Sequence, residues 1–499
     1  MAAESSLRVL FATPELAPWA QSGGLGDVSA TLPPALRRLG VDVRVLVPGY
    51  AKLLAAYPDA REVAQWSRPA GALPAARLLA SQRAAGAPLL FIDCPEYYGR
   101  EGSPYADASG RDWPDNHLRF GLLSRLAAVL ASQASPLPWR PHLLQCHDWP
   151  AGLAPAYLHF EPGTRAATVM TVHNLAFQGL YPADTLEALG IPAQAFHIDG
   201  VEFHGKLSFL KAGLSYADSV TTVSPTYARE VQTAEHGCGL DGVLRGRGER
   251  LTGILNGIDV SAWNPATDSH LAARYDILRM EGKALNKAQL QRELGLRASF
   301  ATPLIASIGR MTHQKGLDLL ARIVPDIIAM PAQLAVLGRG ERDLERDFAA
   351  LASRFPESCA AATRFDEALA HRIEAGADIF VMPSRFEPCG LNQMYSLRYG
   401  TPPVVRSTGG LADTVVDATA ETIAPGNANG FTFTAADSAA LAEALARAIR
   451  AWRDRKLWSA MQRTGMSQDF SWDRSAASYL SLFRSLVQEA YPGARAPSR

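Results

Sequence analysis

The chain has 499 residues, 47% apolar and 20% charged, which excludes a mainly disordered protein and allows more than one hydrophobic core. Forty-nine Lys and Arg balance forty-nine Asp and Glu, so no net field favours nucleic acid or an anionic membrane as partner. Five scattered cysteines without a C-x-x-C pair, no long apolar run and no basic-then-apolar N-terminus argue against a disulfide framework, a membrane span and a signal peptide; a cytoplasmic protein is expected.

Arg8 to Thr13 reads as a short buried strand, closed by Pro14. The Gly-rich stretch QSGGLGDV (Gln21 to Val28) follows, then a helix ending near Gly40 and a strand from Val41 to Pro48: a parallel βαβ unit. Further strands are expected within His142 to Trp149, Ala167 to Asn174 and Asp218 to Pro225. Asn, Gly, Trp and Pro interrupt the alternation between Leu251 and Pro265. It restarts with a strand at Pro303 to Gly309 and one helix over LDLLARIVPDII. Strands in AQLAVLG, DIFVMPS and PPVVRSTGG then alternate with helices in LAHRIEAG and GLNQMYSLRYG. Apolar strands separated by helices predict an α/β protein with two doubly wound, Rossmann-like sheets. The expected division is a domain over 1–252, a second over 253–475, and a C-terminal helix in 476–499 that returns to the first domain and ends in a frayed tail.

Ligands in such sheets bind beyond the carboxyl ends of the strands, and the chemistry-bearing residues cluster there. Gln21, Gly23, Gly24 and Asp27 lie in the first Gly-rich loop, which reads either as an anion cradle at a helix N-terminus or as a tight turn. TGGLAD, with Thr408 and Gly409, echoes it. Arg310 and Lys315 follow the 303–309 strand; with seven lysines against 42 arginines, a lysine at a strand end stands out. The pair could neutralise a diphosphate, one as a fork and one as a point charge. Glu387 precedes a helix, beside the N–H groups of Cys389, Gly390 and Leu391, and either binds sugar hydroxyls or caps the helix. His147, Asp148, Trp149, His173 and Asn174 end two strands and suit a polar cleft with Trp149 as a sugar platform; the histidines could equally be structural, and no third ligand signals a metal. D-x-D, G-x-S-x-G and H-E-x-x-H are absent.

Across nearly its whole length the chain resembles the bacterial and plant glycogen/starch synthases. GGLGDV, HDWPAGL, TVHNLAFQG, FLKAGLSYADSVTTVSPTYARE, LNGID, QKGLDL, SRFEPCGLNQ and TGGLADTV occur in family order. The resemblance implies the glycosyltransferase-B architecture, two Rossmann-like domains facing across a cleft. It implies retaining transfer of glucose from ADP-glucose to the non-reducing 4-OH of an α-1,4-glucan. Neither a cofactor nor a metal is implied, and ADP-glucose and glucan are the partners. Carried over, Arg310 and Lys315 hold the diphosphate, Glu387 contacts the glucose beside Cys389 and Gly390, and His173 and Asn256 flank it. Asp148 and Asp27 line the cleft, Phe365 takes the place of an adenine-stacking tyrosine, and Tyr98, Trp149 and Asn174 are acceptor contacts.

This sequence departs from the family at Gln21, where a lysine is usual, and at Phe365, which lacks the tyrosine hydroxyl. The first departure should weaken charge assistance to the donor. Both keep open a UDP-glucose or other sugar-nucleotide donor. A non-catalytic glucan-binding relative is disfavoured by retention of Arg310, Lys315 and Glu387. A phosphorylase is disfavoured by chain length.

Overall fold

A computed structural model of the chain describes residues 6–82 and 86–491. The expected frayed tail, residues 492–499, lies outside the described residues. The chain separates into two compact units, 1–257 together with 472–499, and 258–471. The division falls at Gly257/Ile258 rather than at 252/253, and the chain returns to the first unit at Trp472 rather than at 476.

The first unit is built on a nine-stranded sheet. Its order runs Leu251–Gly253, Ser219–Thr222, Ala167–Val172, Leu143–His147, Arg8–Ala12, Asp42–Pro48, Leu89–Asp93, Ala76–Ser81 and Arg61–Trp66. The first seven are mutually parallel, and every residue of Leu143–His147, Ala167–Val172 and Leu89–Asp93 is buried, as strands covered on both faces require. Ala76–Ser81 and Arg61–Trp66 add antiparallel, with a register shift between Glu62 and Ala64. A separate three-stranded sheet is formed by Leu180–Pro182, Lys206–Ser208 and Glu202–Phe203.

The helix Trp472–Ala490 packs on the helix Gly24–Arg38 of this unit. Hydrogen bonds tie it down, among them one from Arg250 to Glu489 over 3.1 Å. Arg38 donates to Asp473 over 2.6 Å, the Ser475 hydroxyl to the Leu255 carbonyl over 2.5 Å, and the Tyr491 hydroxyl to the Arg165 carbonyl over 2.7 Å.

The second unit carries a six-stranded parallel sheet in the order Cys359–Ala362, Gln333–Leu337, Leu304–Ile308, Ile379–Met382, Pro403–Arg406, Phe431–Phe433. This is the 3-2-1-4-5-6 order of a dinucleotide-binding fold. The single helix expected over LDLLARIVPDII is two, Leu317–Arg322 and Val324–Ala329. Pro325 has no N–H to continue the first helix and suits the opening turn of the second. Among the described residues no helix is long and apolar enough to cross a membrane.

Candidate active site

Each main sheet has a central switch point where parallel strands lead away to opposite sides. In the first unit it lies between Arg8–Ala12 and Leu143–His147, and in the second between Leu304–Ile308 and Ile379–Met382. Chains leaving two such strands diverge and open a crevice at their carboxyl ends. Most of the sequence-predicted residues fall on the loops that follow these four strands. The Gly-rich loop follows the first, Asp148 and Trp149 the second, Arg310 and Lys315 the third, and Glu387 to Leu391 the fourth.

In the first unit the Gly-rich loop is already partly filled by the chain itself. Glu15, 4% exposed, accepts from the N–H groups of Ser22 (2.8 Å) and Gly23 (3.3 Å) on Oε2 and from the Tyr105 hydroxyl (2.8 Å) on Oε1. Burial pushes this carboxyl above its ordinary value, while the three donors oppose the rise. Two amides expected to cradle a phosphate are therefore held by an internal carboxylate. Gly23 is different in kind. Its φ of −162° is extended backbone open to any residue, and a Cβ built there meets no atom within 4 Å. Neither the backbone nor the packing demands glycine here. Gly24 opens the helix, and Asp27 stands in its first turn. Gln21 crosses Gly26 and donates to Asp27 Oδ2 (2.9 Å) and to the Gly23 carbonyl (3.2 Å).

Asp148 leaves its strand at φ 53°, ψ −178°, a conformation costly for any side chain with a Cβ. Hydrogen bonds hold it there. Its N–H donates to Thr171 O (2.9 Å), and its Oδ1 accepts from the N–H groups of His173 (2.7 Å) and Asn174 (3.4 Å). Burial pushes the carboxyl up to about 7; the two amides oppose the shift and the charge of Glu15 adds to it. Beside it His147 Nδ1 lies 2.9 Å from His173 Nε2. Burial holds both imidazoles below their ordinary range, His173 at about 3, so both are neutral at pH 7. Asn174 spends its Oδ1 on the N–H of Ala176 (3.0 Å), an Asx turn. Asn256 is buried with an Oδ1 that has no partner among the described residues.

One expected acceptor contact, Tyr98, is corrected, and Trp149 is half-buried. Tyr98 is 1% exposed and its hydroxyl donates to the Arg119 carbonyl over 2.5 Å, so it is a core residue and presents nothing to a glucan. Trp149 is not an open platform. Phe120, Phe209, Tyr105 and Tyr181 surround it at ring-centroid distances of 4.8–6.2 Å, and a Cβ on Gly179 would sit 2.4 Å from its ring.

In the second unit Lys315 Nζ lies 2.5 Å from Glu387 Oε2, with the Ser384 hydroxyl donating to the same oxygen over 3.0 Å. Both side chains are largely buried, 22% and 6% exposed. The contacts on Oε2 leave Oε1 directed elsewhere. Arg310 is exposed, and its guanidinium makes no hydrogen bond or ion pair among the described residues. Gly316, at φ +67°, lets the Lys315 turn close onto the other loop, since a Cβ there would lie 2.0 Å from Pro383 O. Arg385 ties the two loops together: it donates to Asp318 through both terminal nitrogens (2.6 and 2.8 Å) and to His313 O (2.6 Å), while its N–H reaches Gln314 O (2.8 Å).

The TGG loop packs onto the Glu387 loop. Gly409, at φ +45°, would place a Cβ 1.9 Å from Glu387 O, and the Gly410 N–H donates to Glu387 O and Pro388 O, both at 3.2 Å. Thr408 and Gly409 thus press against the backbone of the Glu387 loop. Buried Cys389, with Gly390 and Leu391, leads into the helix Asn392–Arg398, whose Asn392 donates to Ile308 O over 2.6 Å. Phe365 follows the edge strand and is 87% exposed. Among the described residues no three His, Cys, Asp or Glu side chains are arranged to hold a metal ion.

Sequence reasoning missed Glu15, Tyr105, Asp318, Ser384 and Arg385. Glu15, just past the first strand in PELAP, and Ser384 and Arg385, inside SRFEPCGLNQ, carried a positional signal.

Residues 8–246 match the family model described as starch synthase catalytic domain, and residues 302–451 the model glycosyl transferases group 1. The glycogen synthase of Dechloromonas aromatica is 55% identical over 97% of this chain and 99% of its own length. That of Aromatoleum aromaticum is 55% identical over 96% of each chain. Among solved structures, the catalytic domain of starch synthase IV from Arabidopsis thaliana, bound to ADP and acarbose, superposes with a TM-score of 0.86 at 34% identity, covering 97% of this chain and 100% of that one. Sucrose-phosphate synthase from Thermosynechococcus elongatus superposes at 0.60 with 16% identity over 97% of this chain and 100% of its own, a likeness of fold alone.

Proposed function

The chain belongs to the glycogen/starch synthase family, glucosyltransferases of the glycosyltransferase-B fold, and from that premise we propose that it transfers glucose from ADP-glucose to the non-reducing end of an α-1,4-glucan with retention of configuration. The observation that carries this reading at the level of residues is the Lys315–Glu387 pair. It joins, at 2.5 Å, the loops following the two strands that flank the switch point of the second sheet. A cation and a carboxylate at that crevice suit a ligand that is phosphate at one end and sugar at the other.

In this reading the bond from the anomeric carbon to the phosphate oxygen breaks and its electron pair stays on the phosphate. Arg310 and Lys315 face the growing negative charge. Arg310 brings an uncommitted guanidinium, while Lys315 shares its charge with Glu387 until the diphosphate arrives. Preorganised charge of this kind is commonly the largest catalytic contribution. Oε1 of Glu387 accepts from a hydroxyl of the glucose. The acceptor 4-OH attacks from the face that the phosphate leaves, and its proton passes to the departing phosphate oxygen, so no protein nucleophile is needed. Two side-chain cations neutralise the leaving group, so the reading includes no metal and no cofactor. Asn256, whose buried Oδ1 has no partner among the described residues, and His173 are assigned to the glucose. Gln21 is engaged with Asp27 and offers the donor an amide in place of a cation. Phe365 is free to lie against the base. With none of its five cysteines in a disulfide, the chain suits the reducing cytoplasm.

The test is release of ADP or UDP when ADP-glucose or UDP-glucose is supplied with glycogen or a short maltooligosaccharide. ADP release that depends on the glucan is the expected result; preference for UDP-glucose, or no turnover, rejects the reading. The open space at Gly23 gives a second expectation. Gly23→Ala should leave Tm within about 2 °C, because the methyl group meets nothing, yet raise the donor KM by roughly tenfold, because it occupies the ligand's space. An unchanged KM would remove the loop from the donor site.

A further inference from the structure

We propose that His147 is a positioning residue that fixes His173 as a hydrogen-bond donor at Nδ1, presented to an oxygen of the transferred sugar. The strand ends that carry the two rings are in register, His147 opposite Thr171, and bring His147 Nδ1 to 2.9 Å from His173 Nε2. His147 is fully buried, its ring lies 3.9 Å from that of Phe11, and its Nε2 has no partner among the described residues. His173 is half-buried, and its main-chain N–H is fixed by Asp148 at 2.7 Å. Its Nδ1 makes no hydrogen bond within the described residues and is not sealed from solvent.

Burial keeps both rings neutral, so each carries one proton and one bare nitrogen. Only two arrangements place a single proton between them. If His173 Nε2–H donates, His147 must keep its own proton on Nε2, a buried N–H with no acceptor. If His147 Nδ1–H donates, the orphan at Nε2 is a bare lone pair. Buried N–H groups without partners are rarer in native proteins than under-satisfied acceptors, and leaving a donor unmade costs its full desolvation. The second arrangement therefore holds, and it obliges His173 to carry its proton on Nδ1, the exposed nitrogen. His173 is thus built as a neutral donor, neither a base nor a cation. The sugar oxygen as its target rests on the function proposed above; the position of the proton does not.

Two-bond proton–nitrogen spectra of the full, unliganded chain, with nitrogen-15 in its histidines, read the proton positions directly. His147→Asn and His173→Gln assign the signals. Protonated Nδ1 and bare Nε2 on both rings is the expected result; a protonated Nε2 on His173 overturns the proposal, whatever the chain's activity. In the ADP-glucose assay, His147→Leu removes the donor and should lower kcat about tenfold while the donor KM moves by less than about threefold. His147→Asn, whose amide N–H stands where Nδ1–H stood, should recover most of the loss. Equal losses in both variants, or none in His147→Leu, overturn the positioning role. If His147→Leu does not fold, the spectrum of the native chain and the Asn variant decide. A native chain inactive on every sugar nucleotide would reject the function and leave the spectrum to judge the proton.

Discussion

Lys315→Ala is expected to lower kcat by about a thousandfold, the range seen when one preorganised charge or donor is removed from a developing anion. The donor KM should also rise steeply, for a reason peculiar to this pair. Lys315 and Glu387 share a largely buried contact at 2.5 Å. Removing the lysine leaves Glu387 Oε2 with the Ser384 hydroxyl alone, a carboxylate facing a diphosphate without compensation. The double variant Lys315→Ala/Glu387→Gln should therefore bind donor more tightly than Lys315→Ala, although its kcat stays low because neither group remains to act. Such non-additivity is expected of groups in direct contact. Donor KM and kcat for both single variants and the double variant, with glycogen in excess, check it. Independent, additive losses would mean that the two side chains do not share one ligand.

The parallel sheets were legible because their strands are covered on both faces and read as nearly continuous apolar runs, as in Ile379–Met382. Arg61–Trp66 and Ala76–Ser81 gave no such signal: at the sheet's edge they carry Arg61, Glu62 and Arg77, and their antiparallel pairing depends on partners rather than on their own pattern. The site was legible where a residue simply follows a strand, as Asp148, Arg310 and Glu387 do. It was illegible where a role depends on contacts distant in sequence. Glu15 takes its meaning from the amides of Ser22 and Gly23 and from Tyr105, 90 residues on. Arg385 takes its meaning from Asp318, 67 residues back. Tyr98 went the other way. Its aromatic ring suits a sugar in the abstract, but the fold spends it on packing, which no local pattern reveals.

Asp148→Asn should make the protein more stable and less active together. The carboxyl of Asp148 titrates near 7 in the folded chain because it is buried, whereas in the unfolded chain it titrates near 4. Between those values the unfolded state loses its proton first, so this group lowers stability as pH rises from about 4 to about 7, and the penalty persists above that. Three pH units correspond to at most about 4 kcal/mol, and partial contact with water reduces this to roughly half. Asparagine carries no charge to desolvate, and its Oδ1 still accepts from the N–H groups of His173 and Asn174, so the strained turn keeps its hydrogen bonds. The Tm of the variant should exceed that of the native chain by roughly 5 °C at pH 8, with the difference shrinking towards zero as pH falls to about 4. A gain independent of pH would assign the effect to relief of the backbone at φ 53° rather than to charge. In the ADP-glucose assay the same change replaces an acceptor oxygen by a donor in the crevice of the first sheet, and kcat should fall by about one hundredfold. A variant that gains stability and keeps its activity would show that the buried charge of Asp148 serves no step of the reaction.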